Sequence, residues 1–434
     1  MHFCPTKKKP NILVILTDDL GYHDVSYYGT PDIRTPNIDN LCKAGIRFDN
    51  FYANSPVCSP TRAALLSGRY PEMVGVPGLV RYRADDNFGF LMPDAMLLPK
   101  LLKQEHYHTA IIGKWNLGLE TPNTPNEKGF DFFHGFLDDM MEDYSTHLRH
   151  GKNFMRENQQ VVNPKGHATD IFTEWAVDYI HKQSKSQDPF FLYLAYNAPH
   201  TPIQPPAEWL AKVKVREPHI SEKRAKLVAL IEHLDDGVGK VIQALKERGL
   251  YENTLIVFLS DNGGELSVEA NNGALRGGKG SMYEGGIRVP AFLVWANEIK
   301  AGAVSTQLAL TMDIYPTISE ITGASINHSI DGQSLLPILK KPSEKLAERP
   351  VFFIRREGNR QYGGQTIQAV IADNWKLLQN TPYGPYELYH LSDDPLEKHN
   401  LITSQVDQHR SLQHLLMKQI QKGGSVPWQK TEND

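Results

Sequence analysis

Two acidic pairs follow two strongly apolar runs. Asp18-Asp19 follows Asn11–Leu16 (NILVIL) after Thr17, and Asp261-Asn262 follows Thr254–Leu259 (TLIVFL) after Ser260. Asp and Asn offer only oxygen donors here, a hard-cation set suited to Ca²⁺ or Mg²⁺ and not to zinc. One pair alone reads as a strand end and a polar turn. Two pairs after two core-like strands favour metal binding. A second feature is Cys58-Ser59-Pro60-Thr61-Arg62. Residues 59–67 predict a helix with Pro60 in its first turn, where a missing N–H costs little. A residue at 58 then sits at the helix N-terminus, where free N–H groups and the helix dipole favour an anion such as sulfate. Arg62, one turn on, adds a permanent positive charge directed at the same spot. A lone Cys is most often a small buried hydrophobe, and the adjoining Pro-x-Arg argues against that here.

These residues need elements to position them. Asn11–Leu16, Thr109–Ile112, Phe190–Tyr196, Thr254–Leu259 and Pro290–Trp295 are near-continuous apolar runs, the pattern of strands buried on both faces. Between them, Asp170–Lys182 and Ser221–Arg248 carry apolar residues at helical spacing, the second followed by Gly249 as a C-cap. Strands alternating with helices predict an α/β fold with a mainly parallel sheet covered on both faces. Ligands bind outside the carboxyl ends of such strands. Asp18-Asp19 follow the first strand, Lys114 the second, His200 the third and Asp261-Asn262 the fourth, so one shared site is expected.

Around residues 331–349 the composition changes, with a charged, Pro-containing connector at Lys340–Lys345. Beyond it, Pro350–Arg355, Thr366–Ala372 and Trp375–Leu378 read as short strands, and Ser404–Lys422 as a closing helix. The expected organisation is a catalytic α/β domain over 10–345 and a small antiparallel-sheet-plus-helix subdomain over 346–434.

Composition sets outer bounds. With 40% hydrophobic and 22% charged residues, the 434-residue chain can build a sizeable core and is not of disordered type. Lys+Arg of 46 against Asp+Glu of 50 gives a net charge of −4, which does not point to a nucleic-acid binder. Cys4, Cys42 and Cys58 cannot form a closed disulfide set. No apolar run approaches the ~18–20 residues of a membrane span. Met1–Pro10 and the short run after it do not make a secretory leader. The expected compartment is the cytoplasm, or the periplasm or exterior if a leader has been trimmed.

The segment Cys58–Arg62, continued by Ala63-Ala64-Leu65-Leu66-Ser67-Gly68-Arg69, resembles the C-x-P-x-R signature of type I sulfatases with its L-L-[ST]-G extension. Other segments are similar to that family's markers: 10–21 (PNILVILTDDLG), 113–118 (GKWNLG), 260–265 (SDNGGE), 277–284 (GGKGSMYE), 331–336 (DGQSLL) and 387–401 (ELYHLSDDPLEKHNL). The resemblance implies an alkaline-phosphatase-like fold and oxidation of Cys58 to formylglycine by a maturating enzyme. It favours Ca²⁺ over Mg²⁺ at Asp18, Asp19, Asp261 and Asn262. It makes Arg62, Lys114, Lys279 and His200 the groups around the sulfate. The implied chemistry is attack on sulfur by the hydrated aldehyde, with the cation lowering the pKa of one hydroxyl. His200 or Lys279 protonates the departing alcohol, and the second hydroxyl then expels sulfate. Asn116 departs from the family pattern, which has His there. Asn can bind a sulfate oxygen but cannot shuttle a proton near neutrality, so His200 alone, or His134 or His147, would carry that work.

The chain resembles the arylsulfatase and N-acetylgalactosamine-4-sulfatase branch more than choline or alkyl sulfatases. The expected substrate is a sulfated carbohydrate, a galactan or glycosaminoglycan fragment. Arg81, Arg83, Arg149, Lys152, Arg355, Arg356 and Arg360 lie in expected loops or subdomain edges, where a cationic rim would steer a polyanion. Two rivals are a phosphomonoester or phosphonate hydrolase of the same superfamily, disfavoured by the oxygen-only ligands and Cys58, and a glycan-binding protein that has lost catalysis, to which only Asn116 points.

Overall fold

A computed structural model describes residues 8–83, 89–357 and 363–426. Its frame is a ten-stranded sheet built from β1 (Asn11–Thr17), β2 (Ile46–Phe48), β3 (His108–Lys114), β4 (Phe132–Phe136), β5 (Met155–Glu157), β6 (Gln160–Val161), β7 (Phe190–Ala195), β8 (Thr254–Ser260), β9 (Ala291–Val294) and β10 (Ala303–Ser305). The order across the sheet is β10-β2-β9-β8-β1-β7-β3-β4-β5-β6. The stretch β8-β1-β7-β3-β4 is parallel throughout. The flanks are not: β9 runs antiparallel to β8, and β5 antiparallel to β4. The apolar run at 290–295 is therefore a strand, as its composition predicts, but of opposite direction to its neighbour.

Burial explains the unbroken apolar runs. Every residue of β1, β7 and β8 is buried. Along β1 the side chains alternate between two cores. Ile12, Val14 and Leu16 pack on the face that holds α1 (Cys58–Ser67), while Leu13 and Ile15 pack on the face of α2 (Ala168–Gln183) and α3 (Glu222–Glu247). Ser221 caps α3 by accepting from the Arg224 N–H, and Gly249 follows its last turn with φ +65°, the left-handed end that favours glycine.

The C-terminal part is an antiparallel meander of β11 (Val351–Arg356), β12 (Thr366–Ala372), β13 (Trp375–Gln379) and β14 (Glu387–His390). The helix α4 (Val406–Gly423) covers it through Leu412 and Leu416. The other face docks on the main body. Phe353 and Ile367 pack with Tyr52, Met282 and Ile287. Fully buried Lys376 on β13 bridges Glu284, 2.9 Å away, and Glu397, 2.7 Å away. This docking fixes the loop that carries Lys279. Among the described residues Cys42 and Cys58 are free, and no helix is long and apolar enough to cross a membrane.

Candidate active site

Strand register brings the site together. Thr17 pairs with Ser260, Leu16 with Ala195, and Ala195 with Gly113. The carboxyl ends of β8, β1, β7 and β3 are thus level, and the residues that close or follow them meet at one edge. Asp19 takes a left-handed backbone, φ +67°, and its N–H donates to Asp261 Oδ1 at 3.2 Å. Asp is among the few non-glycine residues that tolerate this turn.

Cys58 opens α1, and all ten residues of that helix are buried. Val57 before it is extended and offers no side-chain cap, so no cap side chain accepts from the first N–H groups of the helix. Thr61 Oγ1 donates to Ser55 O at 3.1 Å and pins the incoming loop. Cys58 Sγ lies 3.5 Å from Asp18 Oδ1. Burial first, and then the negative charge of Asp18, push the Cys58 thiol far above its ordinary value, so the unmodified thiol stays protonated.

Three permanent cations face three carboxylates. Arg62 Nη2 sits 2.6 Å from Asp261 Oδ2 and 3.6 Å from Asp18 Oδ2. Lys114 Nζ is 2.6 Å from Asp18 Oδ2, and Lys279 Nζ is 2.7 Å from Asp19 Oδ2. Burial alone would raise the Asp18 carboxyl, but the cations Lys114 and Arg62 hold it well below the usual range. Burial, joined by the charge of Asp18, pushes Asp261 upward, and Arg62 beside it pulls it back. Lys279 loses through burial but is raised overall by Asp19. It therefore rests protonated at neutral pH.

The residues fit a hard divalent ion. Asp18, Asp261 and Asn262 are fully buried and Asp19 nearly so. Asn262 Nδ2 donates to Asp19 Oδ1 at 2.8 Å, while its own Oδ1 is buried without a partner. A buried carbonyl oxygen without a partner among three carboxylates is a donor set of the kind a hard cation takes. Asp18, Asp19, Cys58 and His200 each offer one atom, all within 4.8 Å of one another. The structure therefore adds Cys58 and His200 to the neighbourhood of the expected ligand set.

His200 Nδ1 bonds to Thr201 O at 2.7 Å, which assigns the proton to Nδ1 and turns Nε2 toward Asp19 Oδ2 at 3.7 Å. Burial and the neighbouring Lys279 lower its pKa, so the ring is neutral at pH 7. Asn116 also has a left-handed backbone, φ +56°. Its Nδ2 donates to Val80 O at 2.8 Å, and its buried Oδ1 has no partner. The two histidines considered as substitutes for a ring at 116 are engaged elsewhere: His134 stacks on Trp175, and His147 Nε2 bonds to Gly166 O at 3.0 Å. One supporting residue carried no sequence signal. Buried Tyr144 donates its hydroxyl to Asn197 O at 3.1 Å and His200 O at 2.8 Å, tying down the backbone that presents His200. A lone Tyr in an irregular loop has no spacing to mark it.

The expected cationic rim does not form a single belt. Arg149 pairs with Asp139 and Glu142, while Arg83 and Lys152 lie over the Tyr82 ring. Arg356 Nε donates to Thr366 Oγ1. Arg360 lies outside the described residues. Arg81 and Arg355, from distant parts of the chain, do meet, both on Glu357.

Comparison with known proteins adds a family context. Residues 10–324 match a family model described as Sulfatase, and residues 278–424 match one described as N-sulphoglucosamine sulphohydrolase, C-terminal. N-acetylgalactosamine-6-sulfatase of Canis lupus familiaris is 33% identical over 85% of this chain and 71% of its own length. Arylsulfatase A of Homo sapiens is 32% identical over 91% of this chain and 84% of its own. The crystal structure of Ps i-CgsB in complex with k-i-k-neocarrahexaose has a TM-score of 0.88 at 34% identity, covering 98% of this chain and 96% of that one. A phosphonate monoester hydrolase of Agrobacterium radiobacter shares the fold, with a TM-score of 0.69 at 19% identity over 96% of each chain.

Proposed function

This chain belongs to the sulfatase family and is a sulfuric ester hydrolase with an alkaline-phosphatase-like fold; from that premise we propose that it removes O-sulfate from a sulfated galactan or glycosaminoglycan fragment, with residue 58 as the reacting group. The glycan reading is supported by relatives named for N-acetylgalactosamine sulfate and by a neighbour that holds a neocarrahexaose. The observation that carries the site assignment is the placement of Cys58 Sγ, 3.5 Å from Asp18 and at the start of a buried helix whose Arg62 reaches the same carboxylates.

Asp18, Asp19, Asp261 and Asn262 would hold a divalent ion, Ca²⁺ by ligand type. Such an ion supplies Lewis acidity and favours the ionised form of an oxygen nucleophile at neutral pH. Cys58 matured to formylglycine would supply that oxygen as a hydrated aldehyde. The remaining work belongs to this chain's own side chains. Arg62, Lys114, Lys279 and the α1 N–H groups face the sulfuryl oxygens and offset the charge that builds there. Lys279, held protonated beside Asp19, donates at the departing alcohol oxygen. His200, neutral and oriented by Thr201 O, accepts a proton at Nε2. Asn116 binds and does not shuttle. The charges support this reading: three carboxylates balance three cations, and a divalent ion entering with an anionic ester and an anionic nucleophile preserves the balance.

The test compares matured enzyme on sulfated oligosaccharides, an aryl sulfate and the matching aryl phosphate. Turnover of the sulfates with little or none of the phosphate is expected, and Cys58→Ala should abolish it. Faster turnover of the phosphate would reject the reading.

A further inference from the structure

We infer that Asn272 is a positioning residue for Lys279: it ties the loop that carries Lys279 to the two loops that carry the acidic pairs, and so sets the ammonium group against the departing alcohol oxygen. The inference rests on the reading of the site as one that hydrolyses a sulfate ester.

Asn272 is buried in the irregular stretch between β8 and β9. Its amide is fully used, and across three segments. Oδ1 accepts from the Gly264 N–H at 2.9 Å and the Tyr22 N–H at 3.4 Å, while Nδ2 donates to Gly264 O at 3.1 Å and Gly277 O at 3.2 Å. Two N–H groups at one end and two carbonyls at the other fix which end of the amide is oxygen. Tyr22 is three residues past Asp19, Gly264 two past Asn262, and Gly277 two before Lys279. One side chain thus holds the backbone beside three groups of the site.

Close approach of the loops accompanies these bonds. A Cβ on Gly264 would stand 2.8 Å from Gly21 Cα, and one on Gly278 would stand 2.5 Å from Gly264 O. Neither distance admits a side chain, so glycine at both positions lets the three loops close around the amide.

The paths from the clamp to Lys279 are short. Gly264 O, which accepts from Asn272, also accepts from the Lys279 N–H at 3.1 Å. The next N–H, of Gly280, donates to Pro56 O at 2.9 Å, two residues before Cys58. Lys279 Nζ reaches Asp19 Oδ2 at 2.7 Å. An ammonium group on a flexible four-carbon stem is placed only as well as the backbone that carries it. A misplacement of about 1 Å can cost about a hundredfold in rate. A sugar alkoxide leaves poorly and takes its proton as the bond breaks. A nitrophenolate leaves without one. Loss of the clamp therefore falls on sugar sulfates and largely spares nitrophenyl sulfate.

The experiment measures kcat and KM of the matured parent, Asn272→Ala and Asn272→Asp on a sulfated sugar and on nitrophenyl sulfate. The Asp variant keeps an oxygen for the Gly264 and Tyr22 N–H groups and loses the donor to Gly277 O, which makes it the milder change. In both variants kcat on the sugar sulfate should fall about a hundredfold, and on nitrophenyl sulfate by less than about tenfold, with KM little altered. Leu412→Ala, under α4 on the outer face of the C-terminal sheet, is the control for lost stability and should leave the ratio of the two rates as in the parent. Hydrogen exchange on the same proteins should be faster at Lys279 and Gly280 in both Asn272 variants. An equal fall on the two substrates, a shifted ratio in Leu412→Ala, or unchanged exchange at Lys279 and Gly280 overturns the positioning role. Failure of the matured parent to turn over either sulfate removes the hydrolytic reading instead, and exchange alone then decides whether Asn272 holds the Lys279 loop.

Discussion

Cys58 Sγ and Asp18 Oδ1 lie 3.5 Å apart although 40 residues separate them in sequence. The contact joins the start of a buried helix to the end of the central strand. It places the sulfur of residue 58 beside the carboxylates suited to a cation. Around this pair the other groups acquire roles, and several consequences can be measured.

Metal removal should affect stability as well as rate. With the cation gone, Asp18, Asp19 and Asp261 remain buried and close together, and Asn262 Oδ1 remains unpaired. Ligand binding to the folded state alone stabilises it, by about 2.7 kcal/mol at a hundredfold excess over Kd. Chelator treatment should lower both turnover and melting temperature, and Ca²⁺ should restore both. A melting temperature indifferent to chelation and refilling would count against a cation at these residues.

Lys376 is a test of how the C-terminal sheet holds the Lys279 loop. It is fully buried between Glu284 and Glu397. Lys376→Met removes the positive charge and leaves two buried carboxylates facing each other. Breaking one partner out of such a group costs about 3–5 kcal/mol. Urea unfolding should show a loss of that order, and a loss below about 1 kcal/mol would mean that the network relaxes or takes up water.

Glu72 should give stability a pH dependence of unusual sign for a carboxylate. Burial raises its pKa to about 7, and Gln419 of α4 donates to its Oε1 at 2.6 Å. A raised folded-state pKa means that the folded protein binds the proton more tightly than the unfolded chain. The contribution is full below the unfolded value near 4.5 and falls away as pH rises toward 7. Glu72→Gln should remove this decline, so the variant should melt higher than the parent at pH 8 and closer to it at pH 5. Parallel melting curves across that range would contradict the assignment.

Much of this architecture is legible in the residues, for physical reasons. Strands buried on both faces must be apolar throughout, which marks β1, β7 and β8, and the polar residues that end them mark the site. Chain direction leaves no such trace, so the antiparallel β9 reads like its parallel neighbours. Strands of two or three residues such as β2, β5 and β6 are too short to show a period. Contacts made by backbone carbonyls are also silent, which hides the Tyr144 bond to His200 O. The meeting of Arg81 with Arg355 depends on a docking geometry that no local spacing encodes, so the sequence marks each only as one member of the expected cationic rim.

The central claim is that residue 58 works as an oxygen-bearing aldehyde. Mass spectrometry of the tryptic peptide spanning residues 48–62, paired with turnover on the same preparations, tests it most directly. Conversion of the thiol removes about 18 Da. The account predicts that multiple turnover scales with the converted fraction, and that Cys58→Ser, which has no second hydroxyl with which to expel sulfate, stops after at most one event. Sustained turnover by protein whose peptide retains the unmodified thiol, or by Cys58→Ser, would contradict it.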